Sequence, residues 1–236
     1  MPRCHHLASS IKIVTARDTD TLEPMSTELE LTVIWQRHLG TGPESAHWFD
    51  TVLGMHRAPG RHYHDVRHVT WVVRHITAIS SQHGADDEGA IVAAGFFHDA
   101  VYDPTRTDNE TESAALADRA LIDIGWQAPR RETVAAMVIA PAEHDVDAAD
   151  PDTQVLLAAD LAVLASEPAR YGDYTVAVRK EYAHVSDDAW RVGRAAVLRS
   201  LLDRPRLFAP RLALDEWERR ARANITSELA LLSSPS

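Results

Sequence analysis

Helical periodicity fills almost the whole chain after Ser26, and the alternation typical of strands is almost absent. Apolar residues recur at helical spacing, as Val69, Val72 and Ile76 do, while Gly and Pro separate successive segments. The predicted helices span residues 26–38, 43–58, 62–80, 86–101, 109–124, 129–140, 152–165, 168–184, 187–203 and 211–232. Short connections between them favour packing of neighbouring helices against each other. The sequence therefore predicts an all-α fold, with terminal helices added to a central bundle.

The first 25 residues differ from the rest of the chain. They lack helical periodicity and are rich in Ser, Thr and Asp, with Ile11–Val14 as the one strand-like stretch. We interpret residues 1–25 as a disordered or loosely ordered leader. Residues 26–232 are predicted to form a single domain.

Composition excludes several classes of protein. The longest apolar run, Ala90–Phe97, is far shorter than the roughly 18–20 residues that span a bilayer, so no membrane span is expected. No apolar segment follows the start, so no secretory signal is expected either. The net charge of −11 disfavours binding to a nucleic acid polymer or an anionic membrane. Cys4 is the only cysteine, which excludes internal disulfides and fits a cytoplasmic location.

Histidines and isolated carboxylates mark three places in the chain. His64 and His68 are four residues apart and would share one face of a helix. An apolar helix ends in the pair His98-Asp99, and Asp160 stands alone in the apolar run 155–164. Each feature by itself also fits a polar helix side, a cap or a buried ion pair. Burying an ionised carboxylate without a partner is costly, however, and a bound cation would satisfy all of them at once.

Together these segments offer imidazole nitrogen and carboxylate oxygen from three helices, without thiolate. Such a ligand set suits Mn, Fe, Co, Ni, Zn or Mg. Four protein ligands on an octahedral ion leave positions for water and substrate, and a water bound there can become a nucleophile near neutral pH. The pattern therefore predicts a hydrolytic site that holds one metal ion.

The order His68, His98-Asp99, Asp160 resembles the signature of the HD superfamily of metal-dependent phosphohydrolases. A longer series resembles a bacterial branch of about 200 residues described as predicted metal-dependent HD phosphohydrolases, and it covers roughly residues 28–232. The series consists of Tyr63-His64 with His68, the run Phe97–Asp103, Asn109-Glu110 with Ser113-Ala114, His144, Asp160, Arg179–Tyr182, Gly193-Arg194 with Val197-Leu198, and Ala221–Asn224 with Glu228-Leu229.

The resemblance implies an HD-type helical fold in which His68, His98, Asp99 and Asp160 bind the metal. It also makes His144 and His64 candidates for contact with a second metal or with phosphate; an exposed His144 beside Asp145 is the alternative. Two positions depart from the relatives. Pro141 replaces a threonine of this branch, and Tyr102 replaces a catalytic glutamate of the deoxynucleotide-monophosphatase relatives, so the substrate of those relatives cannot be carried over.

Three residues near the His98-Asp99 pair are candidates for catalysis or substrate binding. Asp103 lies four residues after Asp99, so on a continuing helix it could orient water or protonate a leaving group; it could equally be a helix end before Pro104. Glu110 is a candidate acid or base, and Asn109 a candidate substrate contact. Both also fit the start of a helix capped by Asp108 or Asn109.

Phosphate recognition requires cations in an otherwise acidic protein. Residues 191–222 contain nine arginines against four acidic residues, although most of these can simply form a solvated helix face. Guanidinium groups match phosphate oxygens in pairs. The arginines that we expect to reach a small phosphorylated substrate are Arg61, Arg179, Arg194 and Arg222.

These features predict an enzyme, a metal-dependent phosphohydrolase that acts on a nucleotide or related phosphomonoester as a monomer or homodimer. Two alternatives remain open from the sequence. The surplus histidines would permit a di-iron oxygenase, which HD-type folds also include. A non-catalytic nucleotide-binding regulatory module could keep the same pocket without turnover.

Overall fold

The computed structural model describes residues 27–143 and 149–233, and within them it contains α-helices, short 3₁₀ segments and no strand. The α-helices are α1 (Thr27–Leu39), α2 (Pro43–His56), α3 (Val66–His83), α4 (Glu88–Phe97), α5 (Asn109–Asp123), α6 (Ala128–Glu143), α7 (Pro151–Asp160), α8 (Pro168–Glu181), α9 (Asp187–Leu202) and α10 (Asp215–Ser233). Residues Leu161–Ala165 and Pro210–Leu212 form 3₁₀ turns. The predicted all-α fold is confirmed. The predicted leader and its strand-like stretch lie outside the described residues.

The order of the predicted helices is confirmed, and three of the boundaries that differ bear on the site. Helix α3 begins at Val66 instead of residue 62, and α4 ends at Phe97 instead of about residue 101. The predicted helix 152–165 divides into α7 and the 3₁₀ turn that follows Asp160. Each of these differences falls beside a predicted site residue.

Side-chain caps decide where several helices begin. Asp65 accepts hydrogen bonds from the backbone N–H groups of Arg67 and His68, which starts α3. Asp87 accepts from the N–H of Ala90 at the start of α4, and Asp150 accepts from the first turn of α7. A cap carboxylate satisfies N–H groups that have no partner inside the helix. The caps therefore fix the register of the helices that carry the site.

Helix α4 is the centre of the molecule. Every residue from Gly89 to Phe97 is buried, and the helix packs against α1, α3, α5, α6 and α7. A Cβ atom on Gly95 would lie 2.6 Å from Ile76 Cδ1, so this glycine allows α3 and α4 to approach closely. One continuous apolar cluster extends from Leu31 on α1 to Ile225 on α10.

The last helices are tied to the centre by buried polar groups. The Asn224 side chain on α10 donates to the carbonyls of Leu164 and Ser166. Arg194 on α9 donates to both carboxylate oxygens of Glu228 on α10 at 2.8 and 3.1 Å. These bonds hold α9 and α10 around the 3₁₀ turn that follows Asp160. In the described part of the chain, no helix combines the length and apolarity needed to cross a membrane.

Candidate metal centre

Side chains from α3, from the residue that follows α4 and from the end of α7 meet at one point inside the bundle. His68 Nε2 lies 3.1 Å from His98 Nε2 and 3.4 Å from Asp160 Oδ1, and His98 Nε2 lies 3.7 Å from the same oxygen. All three donor atoms lie within 4.8 Å of one another. They form a group that could hold a metal ion.

Asp99 joins this group through both imidazoles. Its Oδ2 atom lies 3.0 Å from His98 Nε2 and 3.3 Å from His68 Nε2. The four residues that the resemblance implies as ligands are therefore neighbours in space. Both imidazoles are fully buried, whereas each carboxylate side chain keeps about a fifth of its surface exposed.

The spacing of the donor atoms matches neighbouring ligands on one ion. With metal–ligand bonds of about 2.1 Å, adjacent ligands of an octahedral ion are about 3.0 Å apart and opposite ones about 4.2 Å. The observed separations of 3.0 to 3.7 Å fall in this range. The donor set of imidazole nitrogens and carboxylate oxygens fits a divalent transition metal or Mg.

A hydrogen bond fixes which ring nitrogen of His98 faces the other ligands. The Nδ1–H of His98 donates to the carbonyl of Gly95 at 3.0 Å, which leaves the Nε2 lone pair directed at the other ligands. The buried His68 Nδ1 has no hydrogen-bond partner among the described residues, and His68 Nε2 also faces the group. Two imidazole lone pairs at this distance repel unless a proton or a metal ion lies between them.

The electrostatics of the group also favour a cation between the ligands. Burial disfavours the charged imidazole of His98, but Asp99 and Asp160 outweigh burial and raise its pKa well above the ordinary value. Burial likewise opposes ionisation of Asp99, yet His98 and His64 hold the pKa of this carboxyl well below its usual range. The group therefore favours a positive charge at its centre, which a divalent cation would supply.

The end of α4 is held in place by residues from the loop before α3. Arg61 donates to the carbonyls of Asp99 and Ala100 at 2.6 and 2.7 Å, and to the carbonyl of His64 at 2.9 Å. Arg61 also contacts His56 Nδ1, while His56 Nε2 lies 3.1 Å from the carbonyl of Phe96. Burial lowers the pKa of His56 to about 3, so the imidazole is neutral and its Nε2–H donates to that carbonyl. Arg61, expected as a substrate contact, thus joins the His64 loop to the turn that carries Asp99.

Glu181, the last residue of α8, organises the segment before α3. Its Oε1 accepts from the backbone N–H groups of His62, Tyr63 and His64 at 2.7 to 3.0 Å. Its Oε2 accepts from His64 Nδ1 at 2.7 Å and from the Tyr102 hydroxyl at 3.0 Å. Glu181 belongs to the run Arg179–Tyr182 that carries part of the resemblance, but no role was predicted for it. The available signal was a carboxylate at a helix C-terminus, which the helix dipole disfavours unless the carboxylate has other partners.

His64 lies beside the group but not on α3, so the prediction that it shares a helical face with His68 is wrong. Asp65 caps α3 and places His64 in the preceding segment. The two rings are nevertheless 5.5 Å apart because Glu181 turns His64 back toward His68. Among the described residues, His64 Nε2 has no hydrogen-bond partner.

Asp103 does not share a helical face with Asp99, because α4 ends at Phe97. Asp103 is exposed, and its side chain accepts from the N–H and the hydroxyl of Thr105. The Asn109 side chain accepts from the backbone N–H of Asp103 and donates to its carbonyl. The structure therefore shows Asp103 and Asn109 in a turn that leads into α5. Glu110 is half-buried on the first turn of α5 and makes no hydrogen bond or ion pair with a described residue.

The other predicted arginines donate to protein oxygens. Arg179 bonds to the carbonyls of Tyr182 and Val185 and to Asp187. Arg222 bonds to Glu218 and to carbonyls between α9 and α10. Arg194 is paired with Glu228, as described above, and these contacts give all three arginines a role in joining helices. His144, predicted as a second-metal or phosphate contact, lies outside the described residues.

No family model, curated protein or solved structure matches this chain.

Proposed function

We propose that this protein is a metal-dependent hydrolase of a small phosphate ester, a nucleotide or related phosphomonoester, and that it belongs to the HD superfamily, whose ligand order it resembles. One observation carries the proposal: the donor atoms of His68, His98 and Asp160 lie within 4.8 Å of one another, and Asp99 contacts both imidazoles. Residues separated by nearly a hundred positions in the chain form this group. Such an arrangement is typical of a metal site.

His68, His98, Asp99 and Asp160 would hold the ion. A divalent cation bound there supplies Lewis-acid polarisation of a phosphate oxygen and lowers the pKa of water for attack on phosphorus. The protein fixes the ligands through the Gly95 carbonyl, which binds His98 Nδ1–H, and through Arg61, which holds the backbone at Asp99.

His64 is the residue best placed to contact the phosphate beside these ligands. Glu181 accepts from its Nδ1–H, which fixes the ring. Burial opposes a charged ring, but Asp99 and Glu181 outweigh burial and raise the pKa of His64, which favours the doubly protonated imidazole whose Nε2–H donates to a substrate oxygen. Tyr102 packs against the His64 ring at 4.2 Å and restricts its rotation. A fixed donor at the substrate oxygen contributes more than a mobile one, because its orientation is settled before the substrate binds.

Phosphate release measures this function directly. Purified protein supplied with Mn²⁺ or Mg²⁺ should release phosphate from at least one of p-nitrophenyl phosphate, AMP and a set of sugar phosphates. Asp160→Asn should lower the rate at least about a hundredfold, since it removes a charged ligand and preserves the side-chain volume. His47→Ala, at an exposed histidine of α2, is the matched control and should retain full activity.

Two outcomes would contradict the proposal. Oxygen-dependent turnover with nearly two irons per chain would favour a di-iron oxygenase. Protein that contains metal could also release no phosphate from any compound of the set, while AMP raises its melting temperature without being consumed. That result would favour a regulatory nucleotide-binding module.

A further inference from the structure

A cavity of about 210 Å³ borders His68 and extends away from the ligand group between α3 and α8. Its walls include Tyr63, Trp71, Val163, Arg170 and Tyr174. Clefts that enclose drug-sized ligands measure about 300–1,000 Å³, so this one suits an organic group of roughly one ring. The proposed function uses none of these five side chains.

Tyr63 presents a hydroxyl that has no partner among the described residues. Its ring packs against His68 at 4.8 Å and against Tyr174 at 4.7 Å, and Glu181 fixes its backbone N–H. A phenol keeps its proton at neutral pH, so the hydroxyl can donate. Because no described residue accepts from it, this donor is available to a ligand in the cavity.

Arg170 is the second group without a hydrogen-bonding partner in the cavity wall. Its guanidinium lies 3.7 Å from the centre of the Trp71 ring and makes no hydrogen bond or ion pair with any described residue. Asp173, one turn further along α8, forms no ion pair with it. By contrast, Arg67 at the same rim is bonded to Asp65 and to the carbonyl of His62. A guanidinium held flat on an aromatic ring presents its edge, with its N–H donors, to a carboxylate or phosphate.

We propose that this cavity binds the organic part of the substrate, and that this part is about one ring in size and carries a second oxyanion, a carboxylate or a phosphate, which Arg170 recognises. The inference rests on the proposed function for the position of the ester phosphate at the metal ligands. Tyr63 donates to the same organic part, and the aromatic walls pack against its ring.

Equilibrium binding of phosphonates tests this inference without turnover, because their P–C bond is not hydrolysed by a phosphatase. Isothermal titration calorimetry of Mn²⁺-supplemented protein would compare benzylphosphonate with 4-carboxybenzylphosphonate and p-xylylenediphosphonate. We expect at least one of the two probes that carry a second oxyanion to bind at least about tenfold more tightly than benzylphosphonate, and which one binds identifies the oxyanion. Equal affinity for all three would overturn the inference.

Arginine variants locate the contact. Arg170→Ala should abolish the preference for the second oxyanion and leave benzylphosphonate affinity unchanged, and Arg170→Lys should restore only part of it. Arg67→Ala removes the same charge from the same rim, but from a guanidinium that already has partners, and should keep the preference. Equal losses in the two alanine variants would indicate a general charge effect and contradict the proposed contact.

Tyr63→Phe separates binding from stability. It should weaken phosphonate binding several-fold while the melting temperature of the ligand-free protein stays the same or rises, since the hydroxyl has no partner to lose. A lower melting temperature with unchanged binding would contradict the role of Tyr63.

If the preference depends on Arg170 but no phosphate ester is hydrolysed, the cavity assignment stands and the proposed function fails. Hydrolysis without any such preference would support the proposed function and overturn the cavity assignment.

Discussion

At the scale of single residues, the main finding is a carboxylate with five donors. Glu181 receives three consecutive backbone N–H groups, one imidazole and one phenol, and its side chain is fully buried. It places both His64 and Tyr63 next to the ligand group. Its role depends on contacts with residues 79 to 119 positions earlier, which no local pattern in α8 reveals.

Acid should weaken the protein through Glu181. Burial opposes its ionisation, but the bonds from His64 and the backbone outweigh burial and lower its pKa to about 2. A carboxyl whose folded pKa lies below the unfolded value of 4.5 contributes stability that is present above that pH and is lost as the pH falls toward 2. Urea unfolding with a chelator present, at about pH 6 and about pH 3, should show a larger loss of unfolding free energy in wild type than in Glu181→Gln. Parallel losses would contradict the assigned partners.

Arg194 offers a second test, because the structure pairs it with Glu228 where a substrate contact was expected. Both side chains are more than nine-tenths buried. Arg194→Ala leaves a buried carboxylate unpaired and should lower the unfolding free energy by about 3–5 kcal/mol, whereas Arg194→Met with Glu228→Leu should recover most of it. Arg199→Ala, at an exposed position of the same helix, should change it little. Weaker substrate binding at unchanged stability would instead support the expected substrate contact.

At the scale of helices, periodicity and caps predicted the elements well, and the errors came at their ends. The apolar pattern of α3 gives no sign that Asp65 rather than an earlier residue starts the helix, so His64 was placed on the wrong element. Beyond Phe97 the chain turns because Arg61 binds the carbonyls of Asp99 and Ala100. That contact comes from a distant segment, and it explains why Asp103 was placed on a helical face that does not exist.

The contact between α3 and α4 should be sensitive to the size of residue 95. Gly95→Ala would bring Cβ to 2.6 Å from Ile76 Cδ1 in a fully buried contact, and should cost about 1–3 kcal/mol of unfolding free energy. Ile76→Val removes the clashing methyl group, so the double variant should be less destabilised than the sum of the single ones. Gly193→Ala, in open space on α9, should stabilise by about 1 kcal/mol. Additive effects at positions 95 and 76 in thermal or urea unfolding would contradict this packing.

At the scale of the whole molecule, the candidate metal centre exists because α3, α4 and α7 pack together. The sequence could indicate the ligands, since His98 and Asp99 end one apolar run and Asp160 interrupts another, and buried polar groups need partners. It could not indicate the partners of the arginines, because nine similar residues in 191–222 offer no pattern that separates a helix tie from a substrate contact. Arg170 lies outside that cluster. Nothing in the sequence around it indicates that its guanidinium makes no hydrogen bond with the described residues.

Metal content is the most direct test of the central claim, that side chains from three helices bind one cation. Elemental analysis by mass spectrometry would compare wild type with His98→Ala, Asp160→Ala and the exposed control His47→Ala after incubation with Mn²⁺ and gel filtration. Circular dichroism would verify that each variant remains helical. We predict a stoichiometric divalent metal in wild type and His47→Ala and near-complete loss in both ligand variants. Full metal retention in folded His98→Ala and Asp160→Ala proteins would contradict the site and the hydrolase proposed from it.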